Sequence, residues 1–137
     1  MPRKFLHTFA DLIDALSIDQ IKMIKMRRYK DSYSREIEKI CHDIDLIIRS
    51  RKKVMLDARI LRIITTIALV NLFIWNLKDQ MQEDSKKYDS SLKLAHQLNG
   101  IRNRMKNLLL EAFDDTEPSL KRTNTELDDL NEWDISI

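Results

Sequence analysis

Residues 34–48, SREIEKICHDIDLII, carry the clearest helical pattern in the chain. Apolar side chains recur at steps of three and four, with charged residues between them, at Ile37, Ile40, Cys41, Ile44, Ile47 and Ile48. This is the period of an α-helix that buries one face. The spacing predicts an amphipathic helix from Ser34, which can run on through the basic RSRKK at 49–53 because neither glycine nor proline interrupts it.

Two shorter helices are predicted before this segment. Thr8 followed by Asp11 fits an acidic variant of the capping box, so FADLIDAL at 9–16 should begin a helix there. Ser17 with Gln20 repeats the signal, which predicts a break at Ser17 and a second helix after it. The stretch YKDSYS at 29–34 leaves two alternatives open: it either interrupts the second helix or belongs to it.

A long central helix is predicted from Asp57 to about residue 82. Its middle, ILRIITTIALVNLFIW at 60–75, is the most apolar window of the chain. A membrane-spanning helix needs about 20 apolar residues, and this window of 16 contains Arg62 and Asn71. We therefore expect a core helix rather than a membrane span. Apolar residues on nearly every face predict burial among several helices or in an oligomer.

The last helix is predicted from Ser91 to Phe113, after a hydrophilic loop at 82–91 in which Asp89, Ser90 or Ser91 supplies the cap. Together these segments predict an all-α fold. We expect an elongated antiparallel helical hairpin or bundle with short N-terminal helices, formed by residues 1–113 as one domain and completed by homo-oligomerisation.

Composition excludes several classes of protein. The 137 residues include only 1 Gly and 2 Pro, too few for a fold built on many tight turns or for a glycine-rich phosphate loop. The single Cys41 excludes an intramolecular disulfide and a cysteine-rich zinc site, which favours a reducing, cytoplasmic location. The three histidines form no two-histidine helix motif, so we expect no metal and no cofactor.

Charge divides the chain at Phe113. Residues 1–113 carry 22 basic and 14 acidic groups, a net charge of +8, whereas residues 114–137 carry 2 and 8, a net charge of −6. Pro118 disfavours a continuous helix in this acidic segment, so we expect a mostly flexible tail. Its apolar residues, Trp133 among them, leave open that part of it docks on the basic body or on a neighbouring subunit.

Basic residues are the most informative polar feature. Six of them lie within 14 residues, at Arg49, Arg51, Lys52, Lys53, Arg59 and Arg62. Such a cluster attracts phosphate, and Arg102 would join it if the last helix folds back. The alternative is a solvated helix face. Few aromatic residues accompany the cluster, so a nucleic-acid platform is less favoured than a site for one phosphorylated small molecule.

Asp11 and Asp14 are the candidate acid and base. They lie three residues apart on one helix face, where they could hold a cation or act as a pair in a small transferase or hydrolase. The simpler interpretation is that Asp11 favours the helix N-terminus electrostatically and Asp14 is solvated.

Two segments resemble a set of uncharacterised small bacterial and phage proteins. TFADLIDALSIDQIK at 8–22 is similar to an opening signature of the type GELIDKLSI, followed by an isoleucine-rich helix ending in IK. VNLFIWNLKDQM and LAHQLNGIRNRMKNLLLEA, within 70–112, are similar to its closing signature. The resemblance implies a bacterial host cell and no settled activity. It marks seven positions: Asp14, Ser17, Lys22, Asn71, Trp75, Asn99 and Arg102.

Binding rather than catalysis is the function expected from these features. The leading hypothesis is a non-enzymatic protein that captures a phosphorylated small molecule, a nucleotide or nucleotide sugar, and in a phage could sequester it. Phosphate would be held by Arg51, Arg59, Arg62 and Arg102, and the rest of the ligand by Asn71, Trp75 and Asn99. The alternative is a structural or adaptor helical module that mediates protein–protein assembly.

Overall fold

The computed structural model describes residues 7–50 and 56–113. These form four α-helices and two short 3-10 helices and contain no strand, so the all-α prediction is confirmed. The α-helices are α1 (Phe9–Lys25), α2 (Lys30–Ser50), α3 (Ala58–Glu83) and α4 (Tyr88–Ala112). Two predictions lie outside the described residues: the position of Arg51 and the acidic tail at 114–137. The predicted continuation of the helix through 49–53 lies partly outside them, because residues 51–55 are not described.

The N-terminal region is one helix rather than two. The Thr8 hydroxyl accepts the backbone N–H of Asp11 at 3.1 Å, as its predicted cap requires. The predicted break at Ser17 is wrong. Its hydroxyl donates to the backbone oxygen of Asp14, one turn earlier, at 2.9 Å, and accepts a bond from α3, so it serves a tertiary contact instead of a cap.

The connection from α1 to α2 is a single 3-10 turn, Arg27–Tyr29. Helix α2 starts at Lys30, four residues before the predicted Ser34. The YKDSYS stretch at 29–34 neither interrupts the predicted second helix nor belongs to it, because that helix is the end of α1 and stops at Lys25, and residues 30–34 open α2. Its isoleucine stripe buries Ile40 and Ile44 against the rest of the core.

Helix α3 begins where the sequence predicts, because Asp57 caps it locally through a 2.8 Å bond from the backbone N–H of Ile60. Helix α4 begins at Tyr88, earlier than predicted. The side-chain cap in this connection is Asp84, which accepts the backbone N–H of Lys86 in the 3-10 turn Ser85–Lys87. The caps predicted at residues 89–91 are wrong.

The core lies between the α3–α4 hairpin and α1. Helices α3 and α4 share the most extensive interface, α1 crosses both of them, and α2 packs mainly on α1. The side chains of Ile63, Ile67, Leu98, Met105 and Leu109 are fully excluded from solvent. At one end Phe9 stacks on Phe113, with ring centroids 3.8 Å apart, and so fixes the start of α1 beside the end of α4.

One side of α3 remains open. By length and composition alone α3 could cross a membrane, with a mean hydropathy of 1.8 in its most apolar window, of which 39% is buried within the fold. The exposed side includes Leu61, Leu69 and Phe73. Within one chain, the expected burial of α3 among several helices therefore holds for one face, and the predicted oligomer stays untested.

Candidate functional site

A buried polar cluster joins α1, α3 and α4 at the centre of the fold. Its centre is Asp14, which is only 5% exposed. One carboxylate oxygen accepts the Asn71 Nδ2 of α3 at 2.9 Å, and the other accepts the Arg102 Nη2 of α4 at 2.7 Å. Asp14 thus ties three helices together through a single side chain.

Two further bonds extend the cluster. The Asn71 Nδ2 also donates to the Ser17 hydroxyl at 2.6 Å, and the Arg102 Nη1 donates to the Asn99 side-chain oxygen at 3.1 Å. Asn71 and Asn99 are therefore linked through Asp14 and Arg102, and not bonded to each other as a buried pair would be. Asn99 itself is exposed.

Lys106 balances the charge of the cluster. Its Nζ lies 3.0 Å from Asp11 Oδ1 and 3.7 Å from Asp14 Oδ2. Partial burial acts to raise the pKa of Asp11, but the hydrogen bond and charge of Lys106, together with Thr8, outweigh it, so the pKa is lowered. The carboxylates of Asp11 and Asp14 thus face the cations of Lys106 and Arg102, so the charges of the cluster cancel.

The expectation that Asp14 is solvated is wrong. The sequence did contain a signal for its burial: two acids three apart on α1 match two bases four apart on α4, Arg102 and Lys106. Both carboxylates are held by cations, and among the described residues the Arg102 Nε is buried without a hydrogen-bond partner. The chemistry of the cluster is that of a polar contact that fixes how α1 sits on the hairpin.

The structure gathers five of the seven positions marked by the family resemblance. Asp14, Ser17, Asn71, Asn99 and Arg102 all belong to the polar cluster. The other two lie elsewhere. Lys22 sits over the ring of Tyr33, with 5.7 Å from its Nζ to the ring centroid, and Trp75 is half-buried on α3.

Of the four arginines predicted to hold phosphate, the three that the structure describes do not converge. Arg59 and Arg62 are exposed at the N-terminal end of α3. Arg62 is nine residues from Asn71 along α3, which is about 14 Å of helix. Arg102 is committed to Asp14, and Arg51 lies outside the described residues.

An apolar groove separates α2 from α3 above the surface of α1. It has a volume of about 750 Å³. Aliphatic side chains dominate its walls, including Leu16, Ile21, Ile24, Ile37, Leu69 and Leu72. Ile24 is 62% exposed and Leu69 is 61% exposed. The hydrogen bond from Lys25 Nζ to Asn76 Oδ1, 3.2 Å long, joins α1 to α3 at the end nearer Ile24.

Cys41 lies in the wall of this groove. It is half-buried and is a free thiol on the apolar stripe of α2. The groove itself was not foreseen, because helical periodicity predicts which face of a helix is apolar but not whether a neighbouring helix covers that face.

A second buried carboxylate, Asp19, lies where α1 meets α2. It is 5% exposed, and its Oδ2 has no hydrogen-bond partner within the described parts of the chain. Burial raises the pKa of Asp19, and the charge and hydrogen bond of the neighbouring Glu36 carboxyl raise it further, against the lowering effect of Lys22. Two acidic side chains therefore lie side by side where α1 packs on α2.

Across residues 7–50 and 56–113, no group of three His, Cys, Asp or Glu side chains could hold a metal ion. Comparisons of the chain with protein-family models, with curated proteins and with solved structures give no match. The resemblance to the uncharacterised bacterial and phage set therefore stays a prediction.

Proposed function

We propose that this chain is a non-enzymatic helical module that binds an acidic amphipathic helix of a partner protein in the apolar groove. The observation that carries the proposal is the groove itself, whose apolar walls are open to solvent at Ile24 and Leu69. Exposed apolar surface organised around a concavity is typical of sites that bind other proteins or ligands.

The dimensions of the groove suit a helix. Its wall on α1 runs from Ile13 to Lys25, which is about 18 Å of helix or three turns. A bound amphipathic helix presents anchors at i, i+3 or i+4, and i+7, which also span about two to three turns. The three helices of the groove would supply the apolar contacts for those anchors.

Charge around the groove selects an acidic partner. Residues 22–30, KMIKMRRYK, contain five basic and no acidic residues and follow the end of the groove at which Lys25 lies. Cationic side chains around an apolar site speed encounter with anionic partners and disfavour cationic ones. An amphipathic helix would place its apolar face on the walls of the groove, and Asp or Glu on its outer face would lie near this basic end.

Two peptides with the same apolar face test the proposal. One carries Glu and the other Lys at every outward position, and each is titrated into the full-length protein by calorimetry. We expect the acidic peptide to bind with a Kd in the micromolar range, about −8 kcal/mol or weaker, and the basic peptide to bind much less well.

Matched variants locate the binding. Ile24→Glu combined with Leu69→Glu should weaken the acidic peptide about tenfold or more, since both residues line the groove. Leu46→Glu is the control, because Leu46 is 52% exposed on α2 and does not line the groove. Equal affinities in the two variants, or no binding of either peptide to the wild type, would contradict the proposal.

The open side of α3 supports self-association as a companion proposal. Leu61 and Phe73 lie within about 120° of the helix surface, are exposed and do not line the groove. A second copy would cover them. Light scattering at micromolar concentration should give a multiple of the 16.3 kDa chain mass, and a mass near 16.3 kDa would refute this part.

Capture of a phosphorylated small molecule is the second candidate. The observation in its favour is that Arg59 and Arg62 are both exposed, one turn apart, at the N-terminal end of α3, where the helix dipole favours anions. A thermal-shift screen of linear and cyclic nucleotides tests it. A saturable rise in Tm that Arg59→Ala and Arg62→Ala abolish would favour capture, and no response would favour the adaptor module.

A further inference from the structure

We propose that residues 126–137 of this same chain, ELDDLNEWDISI, occupy the apolar groove and compete with the partner helix. The inference rests on the proposed function and adds its regulation: the site is closed by a segment of its own chain and opens when a better-fitting helix displaces that segment. Three observations support it, namely the pattern of the segment, its attachment point and its charge.

The pattern of the segment matches what the groove takes. Leu130, Trp133 and Ile137 are spaced i, i+3 and i+7, the spacing of one face of a helix. Acidic residues fill the positions between and before them, at Asp128, Asp129, Glu132 and Asp134. On a helix Asp128 and Glu132 would lie opposite this apolar face, and Asp129 and Asp134 would flank it. An apolar face with acidic flanks and an acidic back is compatible with the apolar walls of the groove and its basic end.

The attachment point puts the segment within reach. Helix α4 ends at Ala112, and Phe113 stacks on Phe9 at the start of α1. The groove begins at Ile13, one turn farther along α1. Twelve residues separate Phe113 from Glu126, and such a length of chain spans up to about 40 Å, more than twice the 18 Å of the groove.

Charge favours the same contact. Residues 114–137 carry a net charge of −6, and the five basic residues at 22–30 lie by one end of the groove. Because the segment is tethered, its effective concentration at the groove is in the millimolar range, so even a weak contact would keep the groove mostly closed. Individual exposed ion pairs are weak, which leaves Trp133 as the main apolar anchor.

Cys41 reports whether the groove is occupied. It is the only cysteine of the chain and lies in the wall of the groove, so an occupant would shield its thiol. The experiment measures the rate of alkylation of Cys41 by iodoacetamide in three full-length proteins: the wild type, the double variant Leu130→Glu, Trp133→Glu, and the control Leu120→Glu. Leu120 is also in the acidic segment but precedes residues 126–137.

The expected result is that the double variant reacts about fivefold faster or more, while Leu120→Glu reacts like the wild type. The wild-type rate should not change with protein concentration, since the contact is within one chain. Equal rates in all three proteins would overturn the inference. Protection that grows with protein concentration would also overturn it, because the occupant would then be a second copy.

Titration of the acidic peptide separates this inference from the proposed function. If the segment competes, the peptide should bind the double variant several-fold more tightly than the wild type. Equal binding to both proteins overturns competition and leaves the proposed function standing. Binding to neither protein overturns the proposed function itself, whatever the rate at Cys41.

Discussion

Replacing Asp14 with asparagine should destabilise the fold through the polar cluster. The carboxylate uses one oxygen for Asn71 at 2.9 Å and the other for Arg102 at 2.7 Å. An amide has a single acceptor oxygen, so in Asp14→Asn an NH₂ group must face one of these two donors. The substitution also removes the charge that balances Arg102.

The size of the effect follows from these contacts. A hydrogen bond to a charged group contributes about 1.5–3 kcal/mol, and a buried donor left without its acceptor adds to the loss. The Arg102 side chain is 24% exposed, so water compensates part of that loss. We expect the free energy of unfolding to fall by about 2–3 kcal/mol, which lowers Tm by roughly 6–12 °C for a domain of this size.

Urea denaturation followed by circular dichroism at 222 nm measures this change. Asp45→Asn is the matched control, because Asp45 is exposed on α2 and surface substitutions usually stay within about 0.5 kcal/mol. A double-mutant cycle with Arg102→Gln should give a coupling energy of about 1–2 kcal/mol. An Asp14→Asn variant as stable as Asp45→Asn would refute the structural role of the cluster.

Three further predictions concern other contacts. Asp19→Asn should raise Tm at pH 7, because burial and then Glu36 raise the pKa of Asp19 in the folded state. The stability that Asp19 contributes is greatest in acid and falls as pH rises through the folded pKa. This part of the pH dependence of Tm should vanish in the variant. Thr8→Ala should cost about 1 kcal/mol by removing the α1 cap, and Thr8→Ser should restore most of it in the same urea assay. Phe9→Ala should cost roughly 3–5 kcal/mol, because the ring is 1% exposed and stacks on Phe113; a loss below about 1 kcal/mol would contradict that packing.

The parts of the fold that depend on neighbouring residues were predictable from the sequence. Asp57 caps α3 through the backbone of Ile60, three residues away, and Thr8 caps α1 in the same way. The Thr8 cap was predicted, and the central helix was predicted from Asp57 without its cap; both capping bonds need only the residues beside them. The prediction of the isoleucine stripe of α2 also needed only local sequence, since the period of the stripe alone indicates a buried face.

Errors arose where a tertiary contact took over a local signal. Ser17 has the sequence pattern of a cap, yet its hydroxyl bonds to Asp14 and Asn71 inside a continuous helix. From its neighbours in the sequence Asp14 is expected to be solvated, but the fold brings Arg102, 88 residues later, into contact with it. No short-range pattern contains that contact. Lys106, which completes the charge balance, also went unrecognised as a member of the cluster.

The candidate site was the least predictable part. The groove exists because α2 packs on α1 and leaves part of α3 open, and relative helix placement is not encoded in the period of any one helix. The charge of the arginines is visible in the sequence, whereas the exposure of Ile24 and Leu69 depends on how the helices pack.

Backbone amide chemical-shift mapping of the full-length protein with the acidic amphipathic peptide shows directly whether the groove is the binding site. We expect shift changes to concentrate on the three walls of the groove, in residues 13–25 of α1, 37–41 of α2 and 64–76 of α3. They should be absent in the variant Ile24→Glu, Leu69→Glu. Changes centred instead on residues 57–62, around Arg59 and Arg62, or spread evenly over the described helices, would contradict the assignment of the groove as the binding site.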